Sequence, residues 1–243
     1  MNTPILTPVG PAAALRRGII EVLPLAASIA AYGLLWGVLA GQKGLSLIEV
    51  MAMSSLVFAG ASQFVVLDLW RPDDLPVVAI ILSTFVVNLR MLLMAATLKP
   101  LMVGVPKPLA YAAVFLVTDE SWGLTMGAQN GGRRVRLAYL VGAGLTCWSF
   151  WQVATVTGRL LGALIDDPAR YGLDFVFTAT FLALLFGMWK GKADFVPWLT
   201  GAGVAIVVAR LVPGNFYILA GGIVGSLAGA AADLWRQKRR GTA

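Results

Sequence analysis

The segment VLPLAASIAAYGLLWGVLAGQ, residues 22–42, runs for 21 residues without a charged side chain. A helix needs ~20 apolar residues to cross the hydrocarbon core of a bilayer. The segment is longer than the apolar part of a typical secretion signal, and no A-x-A-like cleavage site follows it. We therefore predict that it is a first membrane span.

The composition of the whole chain agrees with this prediction. Of its 243 residues, 58% are hydrophobic and only 13% are charged, and the mean hydropathy is +0.80. Soluble domains carry ~25% charged residues, so this chain cannot build a fully water-exposed surface. The composition excludes a soluble enzyme, a disordered chain and a nucleic-acid binder. The excess of basic residues, which gives a formal charge of +7, is instead expected in loops on the cytoplasmic side of a membrane.

The residue types that are missing narrow the chemistry further. The chain has no histidine, which excludes Ser-His and Cys-His catalytic pairs and His-ligated metal sites. Its single cysteine, Cys147, cannot form an internal disulfide or a cysteine-only metal site. We expect no cofactor and no enzymatic activity, because an intramembrane enzyme would need a catalytic motif that this sequence lacks.

Charges and turn residues divide the chain into eight candidate spans, which predict an all-α, polytopic bundle of membrane helices in one transmembrane domain, residues 1–243. Some of these helices are expected to be broken near the midplane. Only Arg210 and the turn Pro213-Gly214-Asn215 separate the last two spans, so seven spans is the alternative. The predicted spans are 19–41, 47–69, 75–98, 108–128, 137–162, 172–189, 195–211 and 214–233.

The distribution of basic residues predicts the orientation. Of the 19 Lys and Arg residues, twelve fall in loops on the side of the two termini, six fall on the opposite side, and Arg90 lies inside a span. Basic loops are retained in the cytoplasm. We expect both termini to be cytoplasmic, in the inner membrane.

The first polar interruption is Phe58-Ala59-Gly60-Ala61-Ser62-Gln63-Phe64, in the middle of the second span. Small residues there would let the helix open, so that free backbone N–H groups and the Gln63 amide could meet a substrate. The alternative is a continuous helix with a small-residue packing face, in which Gln63 bonds a neighbouring helix.

Two further interruptions carry charge. Asn88-Leu89-Arg90 lies deep in the third span, and Thr118-Asp119-Glu120 lies about ten residues into the fourth. Because an ionised side chain is costly inside the membrane, we predict that Arg90 pairs with Asp119 or Glu120 while the other acid faces water or substrate. Alternatively, Arg90 extends to the interface, or the fourth span starts later and its acids are interfacial.

Two glycine ridges, on the first and last predicted spans, permit close helix contacts. Two interpretations remain, packing within the chain and docking of a partner subunit. The ridges are Gly33, Gly37 and Gly41, and Gly221, Gly225 and Gly229.

In this order, the three polar interruptions resemble the AzlC family, the large subunit of branched-chain amino-acid exporters. Gly172-Leu173-Asp174-Phe175 and Leu211-Val212-Pro213-Gly214 add to the resemblance, which covers roughly residues 15–235. The family pattern usually continues Asn-Leu-Arg-His, but here Met91 replaces the histidine. Where that family often has a proline, this chain has Thr178.

The resemblance implies an efflux permease that exports branched-chain amino acids or analogues together with a small AzlD-like membrane subunit. A zwitterion needs an anion site and a cation site, and eight residues are predicted to supply them. With no histidine present, Asp119 or Glu120 would carry a coupled proton. A channel or a structural subunit of a complex is the alternative. The predicted substrate-binding residues are Gly60, Ala61, Ser62, Gln63, Asn88, Arg90, Asp119 and Glu120.

Overall fold

The computed structural model describes residues 10–164, 182, 191–212, 216–239 and 241, and within them the chain is helical without a strand. Short 3₁₀ turns cover Lys99–Met102 and Lys192–Asp194. The predicted span 172–189 lies outside the described residues, apart from Leu182. The α-helices are α1 Pro11–Gln42, α2 Leu47–Leu56, α3 Gly60–Leu69, α4 Val77–Thr97, α5 Lys107–Phe115, α6 Asp119–Asn130, α7 Leu137–Gly162, α8 Phe195–Leu211 and α9 Phe216–Arg239.

The prediction of an all-α membrane helix bundle is confirmed. By length and composition alone, α1, α4 and α7 are each long and apolar enough to cross a membrane. The shorter helices α2, α3 and α8 are also apolar. The bounds of α7 and α8 coincide with the predicted spans 137–162 and 195–211.

The second predicted span is broken, which confirms the interruption expected from the sequence and excludes a continuous helix. The break, however, lies earlier in the sequence than expected. Helix α2 ends at Leu56 and α3 begins at Gly60, so residues 57–59 form the interruption. The prediction that residues 60–63 are themselves the break is wrong, because they form the first turn of α3, where the Gln63 N–H donates to the Ala59 carbonyl. Phe58 has φ +38°, a left-handed value that is unfavourable for a bulky residue.

The fourth predicted span is broken as well. Helix α5 ends at Phe115 and α6 begins at Asp119. Thr118 caps α6, because its hydroxyl accepts from the Ser121 N–H while the Ser121 hydroxyl accepts from the Thr118 N–H. The acids therefore start a new helix within the span, in place of lying on a continuous one.

The chain divides into two compact units, one containing residues 1–68 and 88–166 and the other residues 69–87 and 167–243. In the first unit, α1 and α7 pack side by side along most of their length. The α1 glycines Gly18 and Gly37 lie against the carbonyls of Tyr139 and Thr155, where a Cβ atom would have no room. Because residue numbers rise together along the seam, the two helices run parallel.

The parallel packing of α1 and α7 indicates how many times the chain crosses the membrane between them. If α1 and α7 enter the membrane from the same side, an odd number of crossings must lie between them. The pair α2 and α3, the helix α4, and the pair α5 and α6 supply three crossings if each broken pair crosses once. This arrangement agrees with the span count used for the sequence.

In the second unit, α8 and α9 pack against each other in antiparallel fashion. Gly201 lies against Gly221, and Gly225 lies against the Pro197 carbonyl. Helices α8 and α9 are therefore separate helices, which favours eight spans over the alternative of seven. The turn at 213–215 lies outside the described residues.

Both predicted glycine ridges are occupied by packing within the chain. The α1 ridge meets α7, with Gly41 against the Arg159 side chain, and the α9 ridge meets α8. This finding favours packing within the chain over docking of a partner subunit on these ridges, because the glycine faces are already filled.

Candidate functional site

The two helix breaks meet in space. The rings of Phe58, within the first break, and Phe115, the last residue of α5, have centroids 6.1 Å apart. Helix α7 contacts the second break, where Gly144 packs against the Leu116 carbonyl, and the helix start that follows the first break, where a Cβ on Gly60 would lie 3.0 Å from Cη2 of Trp151. The interruptions of the second and fourth spans thus form one region in the first compact unit.

The first turn of α3 brings the predicted polar residues of that segment together. The Ser62 hydroxyl donates to the Ala59 carbonyl at 2.8 Å and accepts from the Asn88 amide at 3.3 Å, which links α3 to α4. Gln63 is fully buried, and neither of its amide atoms has a hydrogen-bond partner among the described residues. A buried polar group without a partner costs ~1–3 kcal/mol, so Gln63 is an unusual residue to hold there for packing alone.

The predicted pairing of Arg90 is confirmed, with Asp119 as its partner. An Nη atom of Arg90 lies 3.1 Å from an Oδ atom of Asp119, which joins α4 to the start of α6. Their side chains are 34% and 50% exposed, so the pair is more open than a buried ion pair. Glu120 is half-buried and forms no ion pair within the part of the chain that the structure describes.

A cavity of about 480 Å³ follows one face of α6. Its α6 residues recur at the spacing of one helical face, and the remaining lining comes from Leu25 of α1 and from Arg133. Asp119 and Glu120 are the predicted site residues that line it, whereas the other six are not among its lining groups. The α6 lining consists of Asp119, Glu120, Gly123, Leu124, Gly127 and Ala128.

Arg133 reaches this cavity because the chain folds back after α6. Gly132 takes φ +78°, a left-handed conformation, and the Arg133 N–H donates to the Ala128 carbonyl at 3.1 Å. Such a glycine commonly reverses the chain at the C-terminal end of a helix. The turn therefore sets the first residue after Gly132 back against the last turns of α6.

Arg133 belongs to an ion-pair network that the sequence did not predict. Its two Nη atoms donate to the two carboxylate oxygens of Glu21 at 2.9 and 3.1 Å. The Tyr139 hydroxyl and Arg17 Nε also donate to Glu21, both at 2.6 Å. The hydrogen bonds with Glu21 raise the pKa of the Arg133 guanidinium, which is therefore always charged.

The available signal for this network was weak. Glu21 lies at the edge of the first span, four residues after Arg17, and its main partner is 112 residues away in sequence. Within the described residues, no group of three His, Cys, Asp or Glu side chains is placed to hold a metal ion. The polar chemistry of the region therefore rests on carboxylates, guanidinium groups and amides.

Comparisons with known proteins identify a matching family and several relatives. The protein family described as "AzlC protein" matches residues 24–165. An uncharacterized membrane protein of Archaeoglobus fulgidus is 29% identical over 87% of this chain and 92% of its own length. No solved structure matches the chain.

Two further relatives carry more informative names. The branched-chain amino acid transport protein AzlC of Bacillus subtilis is 26% identical over 85% of this chain and 80% of its own length. The inner membrane protein YgaZ of Escherichia coli is 25% identical over 97% of this chain and 98% of its own length.

Proposed function

The chain belongs to the AzlC family of multi-pass membrane transport proteins, and from that premise we propose that it exports small hydrophobic, branched-chain amino acids or their analogues. The observation that carries the proposal is the cavity along α6, which combines two carboxylates with apolar walls. The relative in Bacillus subtilis, named for branched-chain amino acid transport, supports the choice of substrate.

The cavity chemistry suits such a substrate. Its volume lies within the ~300–1,000 Å³ range of small-molecule sites, and the cavity is open along one side, so one amino acid can enter it. The carboxylates of Asp119 and Glu120 can bind the substrate ammonium group. Leu25 and Leu124 supply apolar surface, and Gly123 leaves space for a branched side chain, because a Cβ there would meet no atom within 4 Å.

We propose that Glu120 carries the coupled proton. Asp119 forms an ion pair with Arg90 at 3.1 Å, whereas Glu120 has no such cation among the described residues. A carboxylate beside a cavity and free of an ion pair can gain and lose a proton as the substrate arrives and leaves. Met91, in place of the family's usual histidine, offers no competing titratable group.

We also propose an AzlD-like small subunit as partner and the inner membrane as location, with both termini in the cytoplasm. The proposal of a partner rests on the resemblance alone, because the glycine ridges are filled by packing within the chain and do not support it. The orientation rests on the basic loops and on Arg236, Lys238 and Arg239, which end α9. Full efflux by the purified chain alone in liposomes would contradict the need for a partner.

The decisive experiment measures transport of labelled leucine in everted membrane vesicles, with the chain expressed with and without the small subunit. We expect saturable uptake that depends on an imposed proton gradient and is lost in Asp119→Asn. Asp68→Asn is the control, since Asp68 is exposed and outside the cavity. Flux that rises linearly with leucine concentration and ignores the gradient would favour a channel, and no flux under any condition would contradict the proposal.

A further inference from the structure

The cavity along α6 carries charges of opposite sign at its two ends. Asp119 and Glu120 stand at the start of α6, and Arg133 follows its end. From Glu120 to Ala128 the helix rises roughly 12 Å. This distance exceeds the separation of the ammonium and carboxylate groups of one amino acid, so a single substrate molecule would meet the acidic end and the Arg133 end one after the other.

The guanidinium of Arg133 is already engaged in the geometry that recognises a carboxylate. Two parallel N–H···O contacts from one guanidinium to both oxygens of a carboxylate form the bidentate pair that Arg makes with carboxylate ligands. The Arg133 side chain is nevertheless 37% exposed and lines the cavity. A carboxylate arriving through the cavity therefore meets a guanidinium that Glu21 occupies.

We propose that Arg133 recognises the carboxylate group of the amino-acid substrate at its end of the cavity, and that Glu21 takes the place of that carboxylate when no substrate is bound. This inference rests on the proposed function, which supplies an amino acid as the substrate. It adds the residue that distinguishes an α-carboxylate from other polar groups.

The surroundings of Glu21 make such an exchange feasible. When Arg133 turns to a substrate, Glu21 keeps the hydrogen bonds from Tyr139 and Arg17, so its charge is not left without partners. The exchange also releases the tie between α1 and the chain just before α7. Substrate binding is thereby coupled to the ion pair between α1 and the loop that precedes α7.

The test compares three probes in everted vesicles that contain the chain and its small subunit. Labelled leucine export is inhibited with leucine, with leucinamide, which lacks the carboxylate, and with 4-methylpentanoate, which lacks the ammonium group. In the wild type, leucine should inhibit more strongly than leucinamide. Arg133→Lys keeps the positive charge but loses the two parallel N–H donors of the guanidinium, so this preference should fall roughly tenfold or more. Arg134→Lys, a change in the exposed neighbour, should keep it.

A second variant keeps the inference testable if Arg133→Lys does not reach the membrane. Glu21→Gln weakens the internal competitor, so the KM for leucine should fall several-fold while inhibition by leucinamide stays the same. An unchanged leucine-to-leucinamide preference in Arg133→Lys, or an unchanged KM in Glu21→Gln, would overturn the inference and leave leucine export standing. Absence of leucine flux in the wild type would instead overturn the proposed function, and this inference with it.

Discussion

Removing one member of the pair Arg90–Asp119 should harm the protein more than removing both. At 3.1 Å, Coulomb's law gives about 1 kcal/mol in water and about 5 kcal/mol at an effective dielectric constant of ~20. Because both side chains are at least one-third exposed, solvent screening places the coupling at the lower end, about 1–2 kcal/mol. Each single change also leaves the partner charge beside apolar surface without compensation.

The measurement is a double-mutant cycle on the apparent Tm of the protein purified in detergent. We expect Arg90→Ala and Asp119→Asn each to lower Tm by roughly 2–8 °C, on a scale of ~2–4 °C per kcal/mol for a chain of this size. The double variant should recover part of that loss. Asp68→Asn, which removes an exposed acid outside the pair, should leave Tm unchanged.

Transport provides a second readout for the same variants, although Asp119 is also proposed to contact substrate. Arg90→Ala alone should reduce leucine export, because Asp119 would lose the ion-pair partner that holds it in place. Arg90→Ala that is as stable and as active as the wild type would refute the reasoning. So would a double variant whose loss of Tm equals the sum of the two single losses.

Three further predictions follow from the packing and from the proton proposal. Gly60→Leu should abolish export while membrane insertion persists, because the new side chain would enter the space of Trp151. The control Gly203→Leu, on an open helix face, should export normally. Normal export by Gly60→Leu would count against a role of this break in transport. Gly37→Leu should lower the amount of folded protein in the membrane, measured by size-exclusion chromatography, because a Cβ there meets an α7 carbonyl, and an unchanged profile would contradict the seam. Glu120→Gln should still exchange leucine across the membrane but lose the response to an imposed proton gradient, and a retained response would assign the proton elsewhere.

The sequence predicted those features that depend on apolar length and on charge pairing. Helix α7 matches its predicted bounds because charged and turn residues flank it on both sides. The partner of Arg90 was narrowed to two adjacent acids, since a charge inside an apolar span has few neighbours that can neutralise it. These features depend on residues that are close in the sequence, so hydropathy and the positions of the charges are sufficient to predict them.

The features that the sequence did not predict depend on local hydrogen bonding or on long-range packing. The break before Asp119 was missed because residues 108–117 are uncharged, and the cap of Thr118 with Ser121 lacks the Glu or Gln that marks a capping box. The network around Glu21 was missed because it joins residues more than a hundred positions apart. The first break was displaced, since Phe58, and not a glycine, takes the left-handed conformation.

The parallel seam between α1 and α7 also sets an order for biosynthesis. More than a hundred residues separate Gly37 from the Thr155 carbonyl against which it packs, and at ~5–20 residues per second the ribosome needs roughly 6–24 s to synthesise them. During that interval the glycine face of α1 would lie in the bilayer without its final neighbour, and the three predicted crossings would be inserted before α7 emerges. Cysteine pairs placed across the seam should therefore crosslink only in nascent chains long enough to expose α7, so assembly of this core comes late in synthesis.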